Sequence, residues 1–135
     1  MGTPDPFYGR DLDPRSFAYR DLLGVDQWDS FTVSASLTVV GTPTYTGRYR
    51  IVGKQCFFQV SLVASTSIAS TAGTHYVSLP IAAKGIGGMA TMSNDTTNIA
   101  VGVCHVDVTD SHCYLPALVA SGNTFHVVGF YEIGS

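Results

Sequence analysis

The sequence predicts an all-β domain, a jelly-roll-like β-sandwich, that follows a short N-terminal arm containing one short helix. Three observations predict this fold class. Apolar and polar residues alternate with a period of two over most of the chain after Trp28, which is the pattern of strands with one buried face. Turn residues interrupt these runs roughly every 8–12 residues, as in sandwiches and jelly rolls. No repeat of roughly 20–50 residues is present, so a solenoid or a propeller is not expected.

Residues 1–27 differ from the rest in composition and are predicted to be an anchoring arm, with the β domain at residues 28–135. Asp13 is a good N-cap residue, Pro14 suits the first helical position and Gly24 suits the position after the last turn, which predicts a helix over residues 14–23. A helix this short is marginal alone, so its apolar side chains must pack against the β domain or another protein. The side chains expected to anchor the arm are Phe7, Tyr8, Phe17, Tyr19, Leu22 and Leu23.

The period-two runs predict about eight strands in the β domain. They cover residues 31–39, 45–52, 55–65, 75–79, 89–92, 98–109, 114–119 and 124–133, with loops at 66–74 and 84–88. Gly53 and Lys54 separate two long runs and predict a tight hairpin. In the second of these strands one face carries Cys56, Phe58, Val60, Leu62 and Ala64, and this face is expected to line the core.

Charge is concentrated in the arm, since residues 1–30 hold six Asp and three Arg whereas residues 31–135 hold only eight charged residues. Such a domain must cover its surface with Ser, Thr, Gly and Asn, which favours packing against other subunits or exposure outside a cell. A nucleic-acid binder is not expected, because it needs a basic face to neutralise phosphates. No apolar run approaches the roughly 18 residues that span a bilayer, so membrane insertion is not expected either.

The three cysteines are expected to be reduced, buried thiols of a protein made in a cytoplasm, because the count is odd and no secretory signal precedes them. Asp110 and Ser111 are predicted to form a two-residue hairpin turn that pairs Val108 with Cys113. In that register Cys104 and Cys113 share the apolar face but lie two pairs apart, which is too far for a disulfide.

The opposite face of this predicted hairpin carries His105, Asp107 and His112, which are weak candidates for a metal site. A polar stripe that faces solvent or an interface is the alternative. No Ser lies in a G-x-S-x-G motif, and the Gly-rich residues 84–88 lack the spacing of a phosphate-binding loop. The sequence therefore predicts neither catalytic residues nor a cofactor, and the protein is not expected to be an enzyme.

Arg48 and Arg50 lie on one face of a predicted strand in a domain that is otherwise poor in charge. They are interpreted as part of an oligomer interface, paired with Glu132 or with an Asp of the arm. The alternative is ordinary edge-strand charge that discourages aggregation.

Three segments, YTGRYRIVGK at 45–54, YVSLP at 76–80 and VGFYEI at 128–133, together resemble small β-sandwich domains of tailed-bacteriophage virion proteins. The resemblance spans about residues 28–133 and includes tail-fibre, receptor-binding and decoration proteins. It implies a homotrimeric structural protein of the virion, held to another virion protein through its N-terminal segment. It also implies attachment to a host surface glycan or protein, and it transfers no catalytic residues.

Two alternatives to a tail-fibre tip remain open at the level of sequence. One is a capsid decoration protein at the head, since no coiled-coil shaft or repeat precedes the domain. The other is a carbohydrate-binding module, which would need exposed aromatic side chains to stack on sugar rings. The candidates for that role are Trp28, Tyr8, Tyr19, Tyr76 and Tyr114.

Overall fold

The computed structural model describes residues 28–85 and 87–134, so the predicted arm, its helix and its anchoring side chains lie outside the described residues. The described part is all-β, as predicted, and contains no helix. Its strands are β1 (Asp29–Phe31), β2 (Ala35–Ser36), β3 (Thr38–Val40), β4 (Thr44–Val52), β5 (Gln55–Val63), β6 (Ser67–Ser70), β7 (Tyr76–Ser78), β8 (Gly88–Asn94), β9 (Ile99–Asp107), β10 (His112–Tyr114), β11 (Leu118–Ser121) and β12 (Thr124–Glu132).

These strands form two sheets. The large sheet has nine strands in the order β1-β4-β5-β12-β8-β9-β10-β7-β2, and the small sheet has three in the order β11-β6-β3. All the strand pairs described are antiparallel. The predicted hairpin between β4 and β5 is confirmed, and its two-residue turn contains Gly53 at a φ of 62°, a conformation that glycine adopts without strain.

The large sheet is strongly curled, because its two edge strands are close together in the chain. Strands β1 and β2 lie at opposite ends of the strand order, yet only residues 32–34 separate them. An extended chain covers at most about 14 Å between residues 31 and 35, so the two edges must lie within that distance. The connection is fixed to the far edge by Ser34, whose N–H donates to the Ser78 hydroxyl at 2.9 Å and whose carbonyl accepts from the Ser78 N–H at 2.7 Å.

One hydrophobic core lies inside the curl. The predicted inward face of β5 is confirmed, since Cys56, Phe58, Val60 and Leu62 are fully buried, while Ala64 beyond the strand is half-buried. The neighbouring strands contribute Phe125, Val127, Tyr131, Ala90, Met92, Cys104, Val106, Cys113 and Val77 to the same cluster. Ile68 of the small sheet also belongs to this cluster, so both sheets share the core. The finer assignment to a jelly-roll-like sandwich stays a prediction.

The expected single strand over residues 31–39 is wrong, although its alternation of apolar and polar residues is real. The segment forms three short strands that pair with three different partners, β1 with β4, β2 with β7 and β3 with β6. The alternation survives because the half-buried side chains of Phe31, Val33, Ala35 and Leu37 all pack against the same core. A period of two indicates which side faces the core but does not indicate the pairing partner.

The boundaries of two other predicted elements also differ. The expected loop over residues 66–74 contains strand β6, in which Ile68 is buried and Ser70 donates its hydroxyl to the Pro116 carbonyl at 2.6 Å. The expected strand over residues 114–119 is interrupted, because β10 ends at Tyr114 and β11 begins at Leu118 in the other sheet. Pro116 lies between them and lacks the N–H that a continuous ladder would need.

One glycine in the long hairpin is required by packing. Gly47 of β4 is paired with Phe31 of β1, and a Cβ at this position would lie 2.5 Å from the Phe31 ring. The ring therefore covers the glycine directly and also packs edge-on against Tyr49, with ring centroids 6.1 Å apart. This contact closes the β1 edge of the sheet over the core.

No helix in the described part of the chain has the length and apolar character that crossing a membrane requires.

Candidate functional site

The hairpin of β9 and β10 carries most of the candidate site residues, and its register differs from the prediction. His112 pairs with Asp107, Cys113 with Val106 and Tyr114 with His105. The turn therefore has four residues, 108–111, rather than two, and the predicted pairing of Val108 with Cys113 is wrong. Because the register shift is two residues, every side chain keeps its predicted face.

The shift brings two thiols together in the core. Cys113 pairs with Val106, so Cys104 is its diagonal neighbour on the same face, and both side chains are buried. Their thiols form a hydrogen bond, which together with burial raises the pKa of Cys113 far above its ordinary value. The predicted wide separation of these thiols is wrong, whereas the expectation of free, buried cysteines agrees with the structure, in which Cys56, Cys104 and Cys113 are all unbridged.

On the outer face of the same strands, four rings form one group, here called the ring cluster (Tyr76, His105, His112 and Tyr114). The His112 imidazole stacks on Tyr76, with centroids 3.7 Å apart and planes 14° apart. Tyr114 packs edge-on against Tyr76 at 5.6 Å and against His112 at 6.0 Å. His105 lies beside Tyr114 at 6.5 Å with planes 29° apart. The ring cluster spans strands β7, β10 and β9.

Strand register explains why these rings meet. His105, Tyr114 and Tyr76 occupy one row across three neighbouring strands, since Tyr114 pairs with both of the others. Asp107, His112 and Ser78 form the next row. Residues that pair directly across strands have Cβ atoms about 4.5–5.5 Å apart, so ring contacts within and between these rows are expected.

The turn beside the ring cluster is held by an acidic side chain. Asp107 Oδ1 accepts hydrogen bonds from the backbone N–H groups of Thr109 at 2.7 Å and Asp110 at 3.3 Å. Ser111 closes the turn at a φ of 57°, and its hydroxyl accepts from the Ala83 N–H at 3.1 Å. One role of Asp107 is therefore to shape this loop, which leaves its second carboxylate oxygen for other contacts.

Two carboxylates adjoin the Tyr114 ring. The Tyr114 hydroxyl donates to Asp110 Oδ2 at 3.4 Å. Desolvation, followed by the charges of Asp110 and Asp107, raises the pKa of Tyr114 above its ordinary value. A surface hollow of about 440 Å³ opens next to these groups, and its lining residues are Ala72, Gly73, Val103, His105, Asp107, Tyr114, Leu115 and Pro116.

One ring nitrogen in the cluster is poorly satisfied. His112 Nδ1 is buried and makes no hydrogen bond within the described part of the chain. Stacking, rather than hydrogen bonding at this atom, therefore holds the imidazole. A buried polar group without a partner costs free energy and often marks a functional position.

The predicted metal ligands do not form a ligand set. Among the described residues, no three His, Cys, Asp or Glu side chains are grouped closely enough to hold a metal ion. His112 is stacked on Tyr76, and Asp107 caps the turn with one carboxylate oxygen. His105, Asp107 and His112 were interpreted either as a metal site or as a polar stripe that faces solvent or an interface, and the geometry favours the stripe.

A second group of contacts surrounds Arg48 and Arg50, which share the outer face of β4 as predicted. Both guanidinium groups lie over the Trp28 ring, at 4.8 and 5.1 Å from its centroid, and Arg50 also lies 5.6 Å from the Phe57 centroid. Arg48 Nε donates to Gln59 Oε1 at 2.7 Å. These contacts place Trp28, the first described residue, on the outer face of the large sheet.

Two further features adjoin this group. A shallow groove of about 420 Å³ is lined by Thr46, Gly47, Arg48, Gln59, Val60, Ser61, His126 and Val128. Glu132, the predicted partner of the arginines, lies at the end of β12 with its carboxylate against the backbone of Gly85, where an added Cβ would overlap it. Its role in an oligomer interface stays a prediction.

Apolar side chains form a band across this outer face, here called the apolar band (Phe57, Phe130, Val128, Met89 and Val103). Register aligns Phe57, Phe130 and Met89 in one row, with Val128 and Val103 in the next row, on either side of Thr91. The Phe57 and Phe130 rings are 6.0 Å apart. Exposure is 42% for Phe130, 45% for Val128, 57% for Met89 and 70% for Val103.

Comparisons with known proteins give no match. No protein-family profile matches the sequence, no curated protein shows significant similarity to it, and no solved structure shows significant similarity to the fold. The residues and geometry of the chain itself therefore carry any functional assignment.

Two features of the surface were missed from the sequence. Tyr76 and Tyr114 were expected only as isolated candidates for sugar stacking, and their contact depends on the pairing of β7 with β10, which are separated by more than 30 residues. The parity of Phe57, Val128 and Phe130 along their strands was a usable signal for the apolar band. All three positions alternate with buried core residues, so their side chains had to lie outside the core.

Proposed function

We propose that this chain is a non-enzymatic structural protein of a bacteriophage virion, a homotrimeric tail-fibre tip or receptor-binding module with a jelly-roll-like β-sandwich. It is attached to another virion protein through residues 1–27, and it takes no cofactor. The resemblance of segments 45–54, 76–80 and 128–133 to such domains supports the proposal. Its surface chemistry supports it independently.

The observation that carries the proposal is the apolar band. Its five side chains cover four adjacent strands, β5, β12, β8 and β9, and four of them are more than 40% exposed. Neighbouring strands lie about 4.8 Å apart, so the band is about 14 Å wide. Contiguous apolar surface of this kind is typical of a protein interface. A second copy of the chain is the occupant that we propose.

The distribution of charge favours self-assembly over a charged partner. Of the eight charged residues after residue 30, Arg48 and Arg50 lie beside the apolar band and are packed against Trp28. The remaining outward positions of β5, β12 and β8 are mainly Ser, Thr and Gln, which form hydrogen bonds without a large desolvation penalty. Interface centres are poor in charged residues and rich in aromatic residues and Met, and the apolar band has that composition.

The attachment role of the arm is supported by its composition and by where it joins the domain. Residues 1–27 hold the aromatic residues Phe7, Tyr8, Phe17 and Tyr19, and large aromatic side chains dominate interface energetics. The chain leaves the described domain at Trp28, on the outer face of the large sheet.

The proposal is tested on the purified full chain and on the native particle. Size-exclusion chromatography with light scattering is expected to give about three times the 14.3 kDa chain mass at micromolar concentration. Immunogold labelling is expected to place the protein on the virion, and particles assembled with a chain lacking residues 1–27 are expected to lose it. A monomer in solution together with unlabelled particles would refute the proposal.

The position of the label also decides between the two virion locations. Labelling at the tail tip supports the fibre or receptor-binding assignment, whereas labelling over the head supports a capsid decoration protein. A free carbohydrate-binding module is the second candidate function, and the ring cluster on β7, β10 and β9 favours it. That candidate predicts sugar binding by a monomer that lacks residues 1–27.

A further inference from the structure

We infer that the ring cluster and the hollow beside it form a binding site for a neutral sugar ring, a hexopyranose of a surface glycan. The inference rests on the proposed function and deepens it, because it names the chemical class of the receptor. It depends on the described residues of strands β7, β9 and β10 and on the turn between β9 and β10.

Two rings line the hollow. His105 is exposed and Tyr114 is half-buried, and their rings lie 6.5 Å apart with planes 29° apart, while one face of the Tyr76 ring beside them is covered by His112. One face of a pyranose ring carries mainly C–H groups, which pack on the negatively polarised face of an aromatic ring. A stacking platform of this kind is selective for the flat C–H face and tolerant of the rest of the glycan.

Polar groups surround the two rings that line the hollow. Sugar hydroxyls need both acceptors and donors placed around the stacked ring. Asp107 lines the hollow, its Oδ1 is occupied by the turn, and its second oxygen is available as an acceptor. The exposed Asp110 carboxylate lies 3.4 Å from the Tyr114 hydroxyl, and the exposed His105 imidazole offers one donor and one acceptor.

The ring cluster is held in place by contacts with neighbouring segments. His112 is stacked on Tyr76 at 3.7 Å, Ser78 is fixed to Ser34 by two hydrogen bonds, and Ser111 is fixed to Ala83. The rings are therefore held in place before any ligand arrives, which lowers the entropic cost of binding.

The charge around the site selects among ligand classes. The hollow is lined by Asp107 and contains no Lys or Arg among its described lining residues, while Asp110 lies next to Tyr114. Two carboxylates repel phosphate, sulfate and acidic sugars at neutral pH. The hydroxyls of a neutral hexose, in contrast, donate well to carboxylates.

The inference is tested by binding of the full chain to an array containing neutral hexose, N-acetylhexosamine and uronic-acid oligosaccharides, followed by calorimetric titration with the neutral oligosaccharide that binds most strongly. Neutral glycans are expected to bind, and uronic-acid chains are not. Tyr114→Ala is expected to weaken binding roughly fivefold or more, which is the lower bound for a nucleic-acid base stacked on one aromatic side chain.

Matched variants separate the site from general effects on folding. His105→Ala is expected to weaken binding, whereas His126→Ala, an outward-facing histidine on β12 two strands away, is expected to leave it unchanged. Tyr114→Phe keeps the ring and is expected to retain most of the affinity. Thermal unfolding of each variant identifies any that fail to fold. If Tyr114→Ala fails to fold, the sugar affinities of Tyr76→Phe and His105→Ala are compared with that of the wild-type chain instead.

Three results would overturn the inference. They are no neutral glycan binding by the wild-type chain, binding of acidic glycans only, and neutral glycan binding that Tyr114→Ala and His105→Ala leave unchanged. Light scattering on the same samples distinguishes failure of the sugar-binding inference from failure of the virion proposal. A trimer that binds no sugar overturns the inference alone, whereas a sugar-binding monomer absent from the virion overturns the virion proposal alone.

Discussion

The stabilisation that a side-chain hydroxyl gives through its hydrogen bonds depends in this domain on whether the hydroxyl is buried. The Tyr131 hydroxyl is inside the core, where it donates to the Ile81 carbonyl at 2.7 Å and accepts from the Ile81 N–H at 3.1 Å. The Tyr114 hydroxyl lies at the surface and makes one longer contact, with Asp110. Similar hydroxyl groups therefore differ in how much they stabilise the fold, because water replaces the partner only at the surface.

Removing the buried hydroxyl is expected to be costly. Tyr131→Phe leaves both backbone groups of Ile81 without their partner and is expected to lower the free energy of unfolding by about 1–3 kcal/mol. Tyr114→Phe is the matched control and is expected to change it by about 0.5 kcal/mol or less. Urea unfolding at fixed protein concentration measures both, and equal effects of the two substitutions would contradict this account of Tyr131.

The buried thiols are expected to be unreactive in the folded protein. Cys56 and Cys113 are fully buried, and burial raises the pKa of Cys56, while the hydrogen bond that Cys113 donates to Cys104, together with burial, raises the pKa of Cys113. The hydrogen bond with Cys113 lowers the pKa of Cys104, but Cys104 is only 3% exposed, so a reagent does not reach it in the folded protein. A disulfide reagent is therefore expected to label none of the three cysteines in native conditions and all three in denaturant. Rapid labelling of the native chain would contradict the described core.

Stability is expected to fall in alkaline solution. Burial raises the pKa of Cys56 and of Tyr131 in the folded state, so the folded protein keeps protons that the unfolded chain releases above the ordinary pKa values of about 8.5 for Cys and about 10 for Tyr. The unfolded state then binds fewer protons, and the free energy of unfolding decreases as pH rises.

Urea unfolding measured between pH 7 and pH 11 tests this sign. The decrease is expected to begin near pH 8.5, and Tyr131→Phe is expected to flatten the part above pH 10, since Phe releases no proton. A free energy of unfolding that is constant or rises over this range would show that these groups ionise equally well in the folded state.

At the scale of single elements, the β9–β10 turn shows what determines a hairpin in this chain. Its four residues are closed by Asp107, which accepts two backbone N–H groups, and not by a two-residue turn at Asp110 and Ser111. Asn94 does the same in the turn between β8 and β9, where it accepts from the N–H groups of Thr96 at 3.0 Å and Thr97 at 3.2 Å. Asx side chains that bond to the backbone two and three residues later favour turns of this length.

The turn is expected to depend on an acceptor at residue 107 and not on its charge. Asp107→Ala removes the acceptor and is expected to destabilise the domain by about 1 kcal/mol. Asp107→Asn retains an oxygen at the same place and is expected to recover most of that loss. Hydrogen exchange at the Thr109 and Asp110 amides reports the turn directly, and identical exchange in the two variants would contradict this role.

Sequence patterns predicted the faces of strands better than their partners. The inward face of β5 and the separation of Cys113 from His112 and Tyr114 follow from a period of two, which an even shift in register leaves unchanged. No local sequence signal indicates that residues 31–40 pair with three different strands, because β1 and β2 lie at opposite edges of one nine-stranded sheet. For the same reason the ring cluster was not predictable, since it needs β7 beside β10.

At the scale of the whole molecule, the curled sheet encloses one core and leaves a large outer face. Strands β5, β12, β8 and β9 lie side by side at the centre of the strand order, and the apolar band crosses all of them. The ring cluster lies on the same outer face, on strands β9, β10 and β7. We propose that the first surface joins copies of the chain, that the second faces the ligand, and that the two meet at Val103, which belongs to the apolar band and also lines the hollow.

The most direct test of this account is the mass in solution of two matched valine variants. Val128 lies in the apolar band, whereas Val119 is 87% exposed on β11 of the small sheet. Light scattering is expected to show that Val128→Asp converts the trimer to monomer, because a buried charge without a partner costs several kcal/mol at an interface. Val119→Asp is expected to leave the trimer intact. A wild-type monomer, or a trimer that persists in Val128→Asp, would contradict the assignment of the outer face as the assembly surface.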